Sequence, residues 1–304
     1  METKDIELKI AGYDIYAIPT GQFSLDGGAM FGTVPKVLWE KSNPADALNR
    51  ICMEARAMLL KGHGRVILID CGNGSDFIAK HGEKAGQKFA SMYGVDEKGP
   101  SLLKSLEKYG VQVQDVTDVI LTHLHFDHCG GATCERNGQI VPTFPAARYY
   151  VQRRNWETAQ NPNLREKASY LSVNFQPLQS AGVLCFLEGQ CEVLPGIQVI
   201  PSDGHTQGQQ MVKVADQNHS LIYCADVIPT SSHVRSAWVM GYDLDPLKII
   251  SEKIEILKKA VEQKTYLYFE HDPYCDCALV QSDGKDFQVS GRYLLRRATQ
   301  ERLT

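Results

Sequence analysis

Residues 122–131 read THLHFDHCGG, which places His123, His125, Asp127 and His128 within six positions. Imidazole nitrogen and carboxylate oxygen are ligands for borderline divalent ions, and a ligand set that leaves a coordination position open is the layout of a catalytic site rather than a structural one. A polar turn of solvated histidines is the plain alternative, and it gives no reason for imidazole at this density. Three more candidates are spread along the chain: His205 in DGHTQG, Asp226 after SLIYCA and His271 after TYLYF. Such groups suit hydrolysis, because a divalent ion polarises a carbonyl or phosphoryl oxygen and brings the pKa of its water down to about 7. The nucleophile then needs no serine or cysteine.

Each of these groups follows an apolar run with the length of a strand. Residues 116–121 (VTDVIL) precede His123, residues 197–201 (IQVIP) precede His205, residues 220–225 precede Asp226 and residues 265–269 precede His271. Runs this apolar read as strands buried on both faces. In layered α/β folds functional groups gather at one end of the strands, so side chains distant in sequence can converge there. A fifth run, residues 65–70 (RVILID), ends at Asp70. That carboxylate either caps its turn or orients a metal ligand from behind. Gly130 and Gly131 are expected to let the backbone turn away close to the cluster.

The rest of the chain supplies the frame. Residues 5–18 alternate as two strands about an Ala11-Gly12 turn. Residues 20–45 read as a loop showing Met30, Phe31 and Trp39 outward, against a substrate, the core or a second subunit. Met30 and Phe31 are therefore candidate substrate contacts, as is His233 in SSHVRSAW. Residues 75–110 contain helical material stopped by Gly110, and Asp245-Pro246 begins a helix with an apolar stripe of Leu247, Ile250, Ile254, Leu257 and Val261. Residues 137–188 are too polar for a core of their own and read as an excursion over the site or the surface. The expectation is one domain, 1–304, with 20–45 and 137–188 as decorations.

Bulk properties exclude several classes. The 304 residues are 43% hydrophobic and 22% charged, with a net charge of −4. There is no basic surplus to release counterions from nucleic acid or to hold an anionic membrane. The first residues are charged, and no apolar run reaches the length of a signal or a membrane span, so a cytoplasmic protein is expected. Nine cysteines, an odd number at scattered spacings, read as free thiols.

In order along the chain, H-x-H-x-D-H, a histidine in a G-H-T turn, a strand-ending aspartate and a late histidine are all filled, by His123, His125, Asp127, His128, His205, Asp226 and His271. In these residues the chain resembles the metallo-β-lactamase superfamily. The resemblance implies an α/β fold, a four-layer αββα sandwich of two similar halves with the metal site at one edge. It implies two divalent ions, zinc first and iron or manganese as alternatives. One would take His123, His125 and His205, the other Asp127, His128 and His271, with Asp226 bridging and Asp70 as the family's early structural aspartate. Residues 25–39 (LDGGAMFGTVPKVLW) with THLHFDHCGG are similar to the quorum-quenching N-acyl-homoserine lactonases and their organophosphate-hydrolysing relatives. Two departures stand out: Gln209 replaces a second histidine of the G-H-T turn, and Pro229 replaces a tyrosine that some lactonases carry, leaving the support of the substrate carbonyl unassigned.

The expected activity is that of a dinuclear hydrolase whose metal-bridging hydroxide opens a lactone or small ester, N-acyl-homoserine lactone first, with Asp127 passing the proton. An organophosphate or aryl ester hydrolase is the alternative, and a mononuclear iron persulfide dioxygenase is the alternative from another class. The expected partner is a small molecule, not nucleic acid or membrane. The apolar N-terminal loop leaves a homodimer open.

Overall fold

Alternation along the strands sets the layers. In the strand Arg65–Ile69, Ile67 and Ile69 belong to one hydrophobic cluster while Leu68, with Val66 beside it, belongs to another. Successive side chains leave a strand on opposite faces, so a strand apolar on both must be covered on both. Ser220–Tyr223 repeats the pattern, sending Leu221 and Tyr223 one way and Ile222 the other. The computed structural model describes residues 2–95 and 99–297 and shows how both faces are met.

Two sheets face each other. The first has seven strands, ordered Leu184–Leu187, Arg148–Gln152, Asp118–Ile120, Arg65–Ile69, Arg50–Gly62, Tyr13–Asp26 and Leu8–Ile10. The second has eight: Thr3–Ile6, Phe287–Leu295, Cys277–Ser282, Tyr266–Tyr268, Ser220–Tyr223, Gln209–Ala215, Ile197–Ser202 and Cys191–Leu194. Between them Ile15, Met58, Ile67 and Ile120 from the first sheet pack with Val199, Val212, Leu221 and Tyr268 from the second. Helices close the outer faces, with Leu102, Leu106 and Leu178 on the first and Ile249 and Leu257 on the second. The result is the expected αββα sandwich.

Direction places the strand ends. Arg65–Ile69, Asp118–Ile120 and Arg148–Gln152 run parallel. Ile197–Ser202 reaches Ser220–Tyr223 through two antiparallel steps, and Ser220–Tyr223 runs parallel to Tyr266–Tyr268, so all three point the same way. Among the described residues no helix is long and apolar enough to cross a membrane.

Three expectations change. Residues 137–188 are not a decoration throughout, since Arg148–Gln152 and Leu184–Leu187 are strands of the first sheet, and Phe144, Tyr149, Val151, Phe175 and Leu178 are in its core. The charged helix between the strands dilutes the composition and hides short runs such as RYYVQ. Residues 20–45 are not a loop throughout, and of the three readings of their apolar side chains the core is the one met: the strand continues to Asp26, and Met30, Phe31 and Trp39 are buried in a cluster with Phe23, Ile51 and Met53. The helix Pro246–Gln263 buries Ile249, Lys253, Leu257 and Ala260, leaving Leu247 at 78% exposure. Its buried face is rotated because Lys253 finds acceptors inside, the carbonyl oxygens of Trp238 at 2.6 Å and His233 at 3.2 Å.

Candidate metal centre

Four strand-end segments meet at one edge of the sandwich. Thr122 and His123 follow Asp118–Ile120, and the short helix Phe126–Cys129 then carries Asp127 and His128. His205 lies between Ile197–Ser202 and Gln209–Ala215, Asp226 in the turn Ala225–Val227, and His271 past Tyr266–Tyr268. The glycines act differently from expectation. Gly130 has ordinary helical backbone, and a Cβ there would sit 2.1 Å from the Asn73 carbonyl oxygen; it permits close approach of two chains rather than a turn.

All seven candidate side chains converge, and they are buried. His125 Nδ1 lies 3.1 Å from His123 Nε2 and 3.2 Å from His205 Nε2, and His128 Nε2 lies 3.3 Å from His271 Nε2. Ligands held tetrahedrally at zinc–nitrogen bond lengths stand about 3.3 Å apart. The Asp226 carboxylate spans the two clusters, with Oδ2 3.1 Å from His205 Nε2 and Oδ1 3.2 Å from His271 Nε2. Asp127 Oδ2 is 3.8 Å from His271 Nε2. Donor atoms of His123, His125, His205 and Asp226 form one group able to hold a cation, and those of Asp127, His128 and His271 a second. Among the described residues Asp226 Oδ1 is buried without a hydrogen-bond partner, as expected of an atom whose partner is a cation.

Behind the centre, the remaining nitrogens are held. His205 Nδ1 is 3.0 Å from Asp243 Oδ1, His271 Nδ1 is 2.9 Å from the Glu54 carbonyl oxygen, and His123 Nδ1 is 3.1 Å from Thr122 Oγ1. Such partners fix the ring and the tautomer that offers its lone pair forward. Asp70 accepts from Thr122 N at 2.7 Å and Thr122 Oγ1 at 2.6 Å rather than from its own turn, and its Oδ2 is 3.1 Å from His128 Nδ1. Glu270, also fully buried, brings Oε2 to 2.8 Å from the same Nδ1.

The electrostatics divide the imidazoles. Burial, then the neighbouring imidazoles of His128 and His125, push His123 well below its usual range, and burial lowers His125 as well. Neutral rings are the state that binds metal. Burial also opposes charge on His205, but Asp226 and Asp243 outweigh it and raise its pKa to about 10. Asp226 gains what its partners give: despite burial, His205 and His128 hold it well below the usual carboxylate range.

A cleft opens onto this centre. Leu25, Met30, Met53, Phe126 and Met240 give it apolar walls, and Tyr93, Tyr242, Arg165 and Glu166 line its polar parts. Of the three expected substrate contacts only Met30 lines it. Phe31 lies behind, stacked on Trp39 and on His233, and His233 is buried with Nε2 2.8 Å from the Met30 carbonyl oxygen. Phe31 and His233 therefore support the wall; the sequence offered a loop composition but no sign of its depth.

Sequence reasoning also missed Glu166, Tyr170, Asp243 and Glu270. Glu166 Oε2 accepts from Thr206 Oγ1 at 2.7 Å, and the Tyr170 hydroxyl is 2.7 Å from the same Thr206 oxygen. Both come from the stretch read as an excursion, where nothing in the spacing marked them. Glu270 adjoins a recognised histidine, and that adjacency was the one available signal.

Known proteins share the sequence pattern and the fold. The N-acyl homoserine lactonase of Bacillus cereus is 26% identical over 268 residues, covering 85% of this chain and 92% of that protein. A probable metal-dependent hydrolase from Staphylococcus aureus, of known structure, is 29% identical with a TM-score of 0.84, over 98% of this chain and 100% of that one. AidC, a dizinc quorum-quenching lactonase, shares the fold with a TM-score of 0.73 at 21% identity, over 96% and 98%. A family model described as the metallo-beta-lactamase superfamily matches residues 52–271, a span that holds the whole strand-end cluster. Because that model spans well over half of the chain, the chain belongs to the metallo-beta-lactamase superfamily and is a hydrolase of it.

Proposed function

We propose that this hydrolase works with two divalent cations, zinc first, and opens an N-acyl-homoserine lactone or a similar small lactone. The observation that carries the reading is the Asp226 carboxylate, whose two oxygens face different imidazole clusters at 3.1 and 3.2 Å. His123, His125 and His205 would hold one ion, Asp127, His128 and His271 the other, and Asp226 both. A bound pair of this kind supplies water ionised near neutral pH and a Lewis acid for the carbonyl and leaving oxygens.

The chain's own groups do the rest. Asp127 lines the cleft beside both His271 and Asp226, where its carboxylate can take the proton of attacking water and return it to the leaving alkoxide. Leu25, Met30, Met53 and Met240 favour an acyl chain over bulk water and lower the dielectric about the reacting bond. Tyr93 and Tyr242 offer phenolic donors to the same cleft, the role left open by Pro229. The lactonase names among the relatives support the substrate class.

Purified protein should contain two equivalents of divalent metal and hydrolyse acyl lactones ahead of aryl esters and phosphotriesters. His123→Ala and Asp226→Ala should lose metal and turnover together. Full activity of either variant on every substrate would end the proposal, whereas a preference for phosphotriesters would keep the metal pair and replace the lactone. One iron per chain with thiol-dependent oxygen uptake would point instead to a dioxygenase.

A further inference from the structure

Glu270 is the least comfortable carboxyl group in the described protein. It is fully buried, and neither side-chain oxygen has a hydrogen-bond partner among the described residues. Buried polar atoms are nearly always paired, so an orphaned pair of oxygens asks for a reason. Its Oε2 nevertheless lies 2.8 Å from His128 Nδ1. That nitrogen already has Asp70 Oδ2 at 3.1 Å and Thr122 Oγ1 at 3.3 Å. Donor atoms of Asp70, His128 and Glu270 all lie within 4.8 Å of one another. Two carboxyl groups thus crowd one imidazole nitrogen that has a single proton to give.

No other candidate ligand is backed this way. His205 has one carboxylate behind it, His271 a carbonyl and His123 a hydroxyl. The Tyr223 hydroxyl, which lies beside Glu270, gives its proton to the Arg56 carbonyl oxygen at 2.9 Å. Without cations, the burial cost of the second carboxyl group is offset only by its contact with a ring nitrogen that Asp70 already shares. With a cation on the far nitrogen of the ring, negative charge behind that ring becomes favourable, because low dielectric strengthens the attraction.

We propose that Glu270 is a positioning residue for one ion of the pair: with Asp70 it forms a two-carboxylate cradle behind His128 that strengthens the Asp127–His128–His271 cation group selectively. The inference rests on the paired-cation reading above, but not on any substrate. Its cost is borne by the metal-free protein and its benefit is felt only at one ion.

The test is zinc titration of chelator-stripped protein against a chromophoric competitor, with thermal unfolding of the stripped form. Wild type should take up two ions in distinguishable steps. Glu270→Gln keeps the shape and removes the charge; it should weaken one step by about 10- to 100-fold, the usual cost of losing an outer partner, and leave the other within about twofold. The stripped variant should melt no lower than wild type. Cobalt(II) loaded at the weakened step should show a shifted visible band, a signature that loss of packing elsewhere would not give. Equal weakening of both steps, unchanged binding, or a lower melting temperature in the stripped variant would each overturn the role. Wild type binding fewer than two ions would instead remove the paired-cation reading itself.

Discussion

Arg56 Nε lies 2.9 Å from Asp276 Oδ1, and both side chains are almost completely buried. The same guanidinium donates to the carbonyl oxygens of Phe269 at 2.8 Å and Asp272 at 2.9 Å. One cation on the strand Arg50–Gly62 of the first sheet therefore pins the backbone on both sides of His271, which follows a strand of the second. Burial disfavours the charge on Arg56, and Asp276 more than offsets it, so the group stays protonated. Arg56→Met should destabilise the fold by about 3 kcal/mol, the lower end for breaking a buried pair, because Arg297 remains 2.8 Å from Asp276. Urea unfolding measures it; a change near zero would mean the pair contributes no net stability.

Asp243 joins the cleft to the centre. Its Oδ1 faces His205 Nδ1 at 3.0 Å while Oδ2 accepts from Met240 N at 2.9 Å, so it orients a candidate ligand and the cleft wall together. Asparagine has one acceptor oxygen and cannot serve both. Asp243→Asn should weaken metal retention about 10- to 100-fold in chelator competition. Retention equal to wild type would show that His205 needs no partner.

Tyr93 and Tyr242 line the cleft, and their hydroxyls have no hydrogen-bond partner among the described residues. Tyr93→Phe and Tyr242→Phe should therefore leave the unfolding midpoint unchanged. If a hydroxyl donates to substrate, its removal should lower kcat/KM about 5- to 10-fold, the worth of about 1 kcal/mol. Steady-state kinetics on an acyl lactone decide it, and two silent variants would exclude both phenols from recognition.

Lys253 gives a pH signature. Burial lowers its pKa from 10.5 to about 8, although its ammonium reaches the carbonyl oxygens of Trp238 and His233. Between those values the unfolded chain holds the proton that the folded chain has released, so stability gains as pH rises through the window. The neutral amine still has two N–H groups for the two carbonyls. Relative to Lys253→Met, which cannot titrate, the wild type should gain up to about 3 kcal/mol from pH 8 to 10.5. Paired urea curves at the two pH values test this; a constant difference would contradict it.

The sequence by itself determined which groups could bind metal, that each followed a strand, and the order of those strands along the chain. These are local matters: the density of THLHFDH and the length of an apolar run are visible without knowing what lies opposite. It also determined the layered class, because doubly apolar strands require cover on both faces. Burial was not legible in the same way. Met30, Phe31 and Trp39 look outward in a glycine-rich segment, yet Phe31 ends between Trp39 and His233, a neighbour 202 positions away. Residues 137–188 look too polar to matter, yet they add two strands and Glu166 because short strands are stabilised by neighbours already in the sheet. Tertiary structure alone decided the partners behind the histidines. Asp243, Glu270 and the Glu54 carbonyl oxygen owe their places to contacts between elements far apart in the chain, and no periodicity of a single segment encodes such a contact.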